Sequence, residues 1–384
     1  MRIGIDYTAA VAEGAGIGRF TRELVGALVA KDRGDRYVLV GPRGSKPPAG
    51  IAANPRVDWK SLPLSSRLTA ILWHRLRLPL PVERFTGGLD VYHATGYTLP
   101  PLAEAAGVVT IHDLSFLAHP EFAEPRLVRF LERTVAASAR KAKLILADSE
   151  STRNDIIKYF GAPPQQVAVV YGGVSDDFRP ISDPAVLSYV RSRYDLPDDY
   201  LLGVGRLEPR KNWKGLLAAY RKLRDRRPDA PPLLIGGGKG WLFQPIFDAV
   251  DELGLRQQVR FLGYIPEPDL PALLTRALCF VFPSFYEGFG LPPLEAMACG
   301  APVIAGNTSS LPEVLGDAAL LVDPWDIDGI AEAMLQALAH PELRADLRTR
   351  GMRQAGRFRW DQAAEGLSAA YQSLARSPSV QVSA

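Results

Sequence analysis

The chain has 384 residues, 47% of them hydrophobic and 23% charged, with a formal net charge of +3. That length exceeds one typical core and predicts two domains; the composition excludes a disordered or fibrous chain, and the small charge gives no ground for a nucleic-acid partner. Cys279 and Cys299, the two cysteines, sit in apolar surroundings, which argues against a disulfide framework and fits a reducing compartment.

The amino terminus enters a strand at once, without the layout of a signal peptide. No run approaches the roughly 18 apolar residues of a membrane span, so a cytoplasmic protein is expected. Short apolar runs alternate with helical periodicity, the pattern of parallel βα units. In the first half, strands are predicted over 2–6, 36–40, 90–93, 108–112, 143–147 and 167–170. The polar, turn-rich stretch 171–180 reads as a linker. A second series follows at 200–205, 232–236, 259–262, 278–282, 302–305 and 319–322. Each series is about the size of one doubly wound sheet. The expected division is 1–173, 174–360 and a helical tail at 361–384 that packs back on the first domain.

The first turn, Glu13-Gly-Ala-Gly-Ile-Gly18-Arg19-Phe20, opens a helix. Gly14, Gly16 and Gly18 let a phosphate approach a helix amino end, and a purely structural turn is an equal alternative. The acidic residue expected about 20 positions on for a dinucleotide ribose is not convincingly placed, which disfavours a nicotinamide site. The stretch from Ser66 to Leu78 is basic, with Leu68, Ile71, Leu72 and Leu76 on one face around Trp73. Contact with a membrane surface and a core-facing helix with solvated arginines both fit it. His112 and Asp113 close a buried strand, where side chains point at ligands; Asp113 is expected to orient His112, or else to cap a helix beside a packed histidine. His93, at a similar strand end, reads as structural.

Gly203-Val-Gly-Arg206-Leu-Glu-Pro-Arg-Lys211-Asn212 closes the first strand of the second series. Arg206 as a fork and Lys211 as a point charge suit a diphosphate, and Arg210 is expected on the surface. Gly236-Gly-Gly-Lys239-Gly240 lacks a Gly-Lys-Ser/Thr ending, so it is a tight turn rather than a P-loop. Tyr264, after Gly263, could lie against a base. In Glu287-Gly-Phe-Gly-Leu-Pro-Pro-Leu-Glu295, two carboxylates frame a turn before a helix predicted from Leu294. Backbone amides there attract anions, and carboxylates only accept hydrogen bonds, so the pair suits ribose and sugar hydroxyls better than hydrolysis.

Together the two spaced glutamates, the Gly205–Asn212 segment, the His112-Asp113 pair, the amino-terminal glycines and Ser309-Ser-Leu-Pro-Glu313 resemble the retaining glycosyltransferases of family 4. The resemblance runs from Met1 to about Leu374 and is nearest to bacterial mannosyltransferase-like enzymes of surface polysaccharide synthesis. It implies a GT-B fold, an α/β architecture of two Rossmann-like doubly wound parallel-sheet domains facing a central cleft that closes on substrate. Arg206 and Lys211 would bind the donor diphosphate, Glu295 the ribose, Glu287 and His112 the sugar, and the amides near Gly290 and Leu291 the phosphate. Gly16 and Gly18 would let the donor approach the first domain.

The implied donor is a nucleotide-diphosphate sugar, GDP-mannose favoured over UDP- or ADP-sugars, with no tightly bound cofactor and no metal. The acceptor would be a glycan or a lipid-linked glycan, with peripheral contact at the inner face of the membrane. Trp213 departs from the family, which usually has a smaller aliphatic residue there, and is expected to alter packing near the phosphates. Glu287→Ala and Lys211→Ala are expected to cut transfer by orders of magnitude with the fold intact. A GT-B nucleotide-sugar epimerase, a phosphorylase without a recognisable pyridoxal-phosphate lysine, and a non-catalytic nucleotide-sugar-binding protein are the alternatives.

Overall fold

The computed structural model describes residues 1–12, 16–31, 34–76 and 78–376. Glu13, Gly14, Arg77 and the end of the tail lie outside the described residues. The chain divides into two compact units. Unit 1 takes Met1–Ala118, Pro125–Gly173 and the chain from Arg359 onward; unit 2 takes His119–Glu124 and Val174–Phe358.

Unit 1 holds seven strands: β1 (Arg2–Asp6), β2 (Arg36–Gly41), β3 (Val57–Ser61), β4 (Val91–Ala94), β5 (Ala106–Ile111), β6 (Leu144–Ala147) and β7 (Val167–Val169). Their order is β3-β2-β1-β4-β5-β6-β7 and every pairing is parallel. Ile3 and Ile5 of β1, Val38 and Leu39 of β2, and Val108 and Val109 of β5 are fully buried, as strands covered on both faces must be. β3 was not expected. It lies at the sheet edge with most of its residues partly or fully exposed, so it lacks the apolar run that announces a buried strand.

The helix Trp360–Arg376 belongs to unit 1 and packs on the helix Ile17–Ala30. The Trp360 and Phe20 rings meet edge to face at 5.3 Å, and Lys31 pairs with Glu365. Tyr371 joins its hydroxyl to His93 Nδ1 at 2.7 Å, while His93 Nε2 meets Thr110 Oγ1 at 2.7 Å. Burial pushes the His93 imidazole down to about 3, so it packs as a neutral ring. In the basic stretch, the helix Ser66–Ala70 runs into a π-helical turn, Ile71–Arg75. Trp73 turns into the unit 1 core and donates Nε1–H to the Leu80 carbonyl at 3.0 Å. Leu68, Leu76 and Leu78 are exposed.

Unit 2 holds β8 (Leu201–Val204), β9 (Leu233–Gly236), β10 (Val259–Gly263), β11 (Cys279–Phe282), β12 (Val303–Gly306) and β13 (Leu320–Val322). The order β10-β9-β8-β11-β12-β13 is again parallel throughout. Trp213 opens the helix Trp213–Arg226 and is fully buried beneath this sheet. Gly203 makes room for it, since a Cβ there would stand 2.7 Å from the indole. Cys279 and Cys299 are buried free thiols. In both sheets the strand order reverses beside the first strand, between β1 and β4 and between β8 and β11. Ligands of open α/β sheets bind outside the carboxyl ends of strands at such a reversal.

Candidate functional site

At the reversal in unit 2, the turn after β8 carries Arg206, Glu208, Arg210 and Lys211, and the turn after β11 carries Ser284 to Glu287. The two turns are bound together. Phe285 N–H donates to the Arg210 carbonyl at 3.0 Å, and Ser284 Oγ donates to the same carbonyl at 3.1 Å. Lys211 Nζ meets Glu287 Oε1 at 2.5 Å, and Ser284 Oγ donates to that oxygen at 2.6 Å. Arg210 Nη1 reaches the Tyr286 carbonyl at 2.7 Å and Glu287 Oε2 at 3.2 Å. Behind it, Glu208 Oε1 accepts from Arg210 Nη2 at 3.0 Å and Nε at 3.3 Å.

Glu208, Lys211 and Glu287 are all buried. Burial works against the Glu287 charge, but Lys211, Arg210 and the bonds from Lys211 and Ser284 outweigh it and hold the carboxyl below the usual carboxylate range. Burial is also the largest influence on Lys211 and draws its ammonium below the ordinary lysine value. Arg210 is therefore not a surface residue, as its sequence position suggested: its guanidinium has two carboxylates and a carbonyl to satisfy, and these draw it inward.

The acidic turn is held from its other side by hydroxyls. Glu287 N–H donates to Ser309 Oγ at 2.8 Å, and Ser310 Oγ donates to the carbonyls of Glu287 and Phe289 at 2.9 and 3.0 Å. Gly290 follows at φ 104°, a backbone setting that favours glycine, and caps the helix Leu291–Ala298. That helix starts three residues before the predicted Leu294, because Pro292 and Pro293 fit a first turn. Neither proline has an N–H, so Gly290 and Leu291 supply the amide donors at this end. Glu295 is buried on the same helix.

Arg206 is exposed, and its carbonyl accepts from Trp213 Nε1 at 2.9 Å. Gly237, at φ 146°, carries its backbone so close that a Cβ would stand 1.9 Å from the Gly205 carbonyl oxygen. Tyr264 is 62% exposed beyond β10. An aromatic group that the sequence reading passed over adjoins the turn: Trp325, 58% exposed, lies with its ring centroid 4.0 Å from that of Phe285. Among the described residues, no cluster of three or more His, Cys, Asp or Glu is placed to hold a metal ion.

In unit 1, Gly16 caps the helix Ile17–Ala30 at φ 61°, and Gly18 is buried in its first turn. His112 follows β5 directly. Its Nδ1 meets Asp148 Oδ2 at 2.7 Å and its Nε2 meets the Thr95 carbonyl at 2.7 Å. The Thr95 carbonyl can only accept, so Nε2 carries a proton. Burial alone would lower its pKa, but Asp148 and the two hydrogen bonds raise it. Asp113 does not orient His112; its Oδ1 accepts from Ser115 N–H at 3.0 Å and Oγ at 2.8 Å, closing a turn. Asp148 takes the orienting role, because Ile111 and Ala147 are register partners and the next residue on each strand is His112 or Asp148.

Two solved structures share this architecture. Sucrose-phosphate synthase from Thermosynechococcus elongatus superposes with a TM-score of 0.76 at 22% identity, over 97% of this chain and 99% of that one. HepE from Anabaena in complex with UDP-glucose gives 0.74 at 18% identity, over 97% and 100%. At such identities the likeness shows the fold. In sequence, the family described as Glycosyltransferase Family 4 matches residues 14–178, and that described as Glycosyl transferases group 1 matches residues 191–354. The O-antigen chain mannosyltransferase B of Escherichia coli is 37% identical over 361 residues, 90% of this chain and 93% of that protein. The chain belongs to the GT-B glycosyltransferases.

In this glycosyltransferase the unit 2 turns bring Lys211 and Glu287 together, with Gly290 and Leu291 on the same acidic turn. Arg206 and Tyr264 stay exposed after β8 and β10, and Glu295 is buried one helical turn on. Trp213 does fill space under this site, and Gly203 is the residue that admits it. No described helix of the glycosyltransferase is long and apolar enough to cross a membrane.

Proposed function

We propose that the protein transfers a hexose, mannose by preference, from a nucleotide-diphosphate sugar to a glycan or lipid-linked acceptor in surface polysaccharide synthesis, such as that of O-antigen. GDP-mannose is the favoured donor, with UDP- and ADP-sugars next. The observation that carries this reading is the buried Lys211–Glu287 pair at the strand-order reversal of unit 2. The 37% identity to an O-antigen mannosyltransferase supports the choice of sugar and pathway class. Unit 2 binds the donor and unit 1 the acceptor.

Arg206 and Lys211 take the diphosphate and, with the amides of Gly290 and Leu291, stabilise the charge that grows on it as the bond to the sugar breaks. These fixed cations do the work for which a metal would otherwise be required. Glu295 accepts from ribose hydroxyls and Glu287 from the sugar; Tyr264 lies against the base. The acceptor oxygen attacks the anomeric carbon from the face the leaving group departs, giving retention, and the departing phosphate oxygen takes the acceptor's proton. In unit 1, Gly16 and Gly18 leave the backbone open to a ligand phosphate at a helix amino end, and His112 contacts the sugar. The exposed Leu68, Leu76 and Leu78 beside Arg67 and Arg75 suit peripheral contact with an anionic membrane.

A thermal-shift panel of GDP, UDP, ADP and dTDP tests the donor class. A nucleotide at about 100 times its Kd stabilises the native state by about 2.7 kcal/mol, and GDP should raise Tm most. GDP release from GDP-mannose should then require an acceptor, with retained configuration in the product by NMR. Absence of a shift with all four nucleotides, together with no acceptor-dependent release, would refute the assignment.

A further inference from the structure

The proposed function asks Lys211 to serve a phosphate, yet Lys211 is also the closest cation to Glu287. Once a diphosphate engages Lys211, the Glu287 carboxylate must share or lose that charge while remaining buried and correctly aimed. The structure supplies a second cation for this purpose. Arg210 binds Glu287 Oε2 at 3.2 Å and the Tyr286 carbonyl, the residue before it, at 2.7 Å. Its own carbonyl takes both Phe285 N–H and Ser284 Oγ. Every residue from Ser284 to Glu287 is thus tied to Arg210 by backbone or side chain.

The guanidinium is itself fixed. Glu208, 2% exposed, receives Nε and Nη2 on one oxygen, so the fork cannot swing toward a ligand without leaving a buried carboxylate unpaired. Resting on the reading above, we propose that Arg210, backed by Glu208, is a positioning residue that holds the Glu287 turn in its working pose and does not itself bind the donor. The groups facing Glu287 are Lys211 and Arg210 from the turn after β8, with Glu208 behind them. Ser284 on its own turn and Ser309 and Ser310 after β12 contribute only hydroxyls.

The test compares Arg210→Gln, Arg210→Lys, Glu208→Gln and wild type in kcat and KM for GDP-mannose, in Kd for GDP, and in the pH profile of kcat. Displacement of a catalytic group by about 1 Å can cost about 100-fold in rate. Arg210→Gln should therefore lose 10- to 100-fold in kcat (about that range) with GDP affinity within about twofold of wild type. Its acid limb should move to higher pH, because Glu287 has lost a cation. Arg210→Lys keeps the charge without the fork, so it should restore the acid limb and only part of kcat. Glu208→Gln should move kcat in the same direction by less.

A tenfold or greater loss of GDP affinity at unchanged kcat would make Arg210 a donor ligand and overturn the proposal. Unchanged kcat and unchanged acid limb in both Arg210 variants would overturn it as well. If wild type turns over no nucleotide sugar, the functional reading fails and the positioning claim is read separately. The carboxyl ¹³C signal that Glu287→Gln removes should titrate at higher pH in Arg210→Gln than in wild type, and in Arg210→Lys should lie close to wild type. Coincident titrations in all three proteins would sink the claim.

Discussion

Glu287 joins two duties that point mutations will not separate cleanly. Its carboxylate is proposed to meet the sugar, and it is also the counter-charge of two buried or half-buried cations. Removing one partner of a buried ion pair typically costs about 3–5 kcal/mol. Glu287→Ala should therefore lower stability by that order in urea unfolding, contrary to the expectation from sequence that the fold would be indifferent to it. Glu287→Gln, which keeps the shape and the Ser284 bond, should retain more stability while still losing transfer. His112 offers a second test. Its pKa is raised by Asp148 and two hydrogen bonds against the effect of burial. A raised folded-state pKa gives stability that is complete below the ordinary histidine value, near 6.5, and is lost as pH rises through the folded value. Asp148→Asn should flatten that decline in a pH series of urea midpoints. Lys211 and Glu287 were legible in the sequence because glycines and strand ends flagged them. Asp148, 36 residues from His112, was not; only the neighbouring of β5 and β6 makes the two adjacent.

The parallel strands of both units were readable because a sheet covered on both faces needs continuous apolar runs. β3 escaped because an edge strand needs no such run, and its Trp59 is accommodated by Gly41, where a Cβ would stand 2.3 Å from the indole. The early start of the helix Leu291–Ala298 escaped because Pro292 and Pro293 read as a loop, although proline is tolerated in a first helical turn. The segment Gly236–Gly240 gains a meaning that periodicity could not give it. Leu207 N–H donates to the Gly238 carbonyl, Gly240 N–H to the Leu207 carbonyl, and Gly237 N–H to the Gly263 carbonyl. This turn is thus a backbone support for the strand end that carries Arg206. Gly237→Ala meets both a forbidding φ and a carbonyl at 1.9 Å. It should displace the Arg206 segment and weaken GDP binding at least tenfold by titration calorimetry, a loss of about 1.4 kcal/mol, while Gly238→Ala, which meets nothing within 4 Å, should bind normally.

At the scale of the whole chain, unit 1 is assembled from both ends of the sequence, with Trp360, Glu365 and Tyr371 all anchored to residues between Phe20 and His93. Burying Trp360 and Tyr371 contributes on the order of 3–5 kcal/mol each by the measure of aromatic truncation. A chain ended after Phe358 should therefore show faster amide exchange across β1–β7, while β8–β13 keep their protection. Equal protection of β1–β7 in the two chains would contradict this. The same arrangement sets an order of events during synthesis. The ribosome releases the seven-stranded sheet first, but the helix that seals it emerges only after the whole of the second sheet has been made. The usual rule that an amino-terminal domain folds first is thereby inverted: the later-made unit 2 is the first that can be completed, and unit 1 waits, with its His93 and Phe20 surfaces uncovered, for the 17-residue helix Trp360–Arg376 (about 26 Å at 1.5 Å per residue).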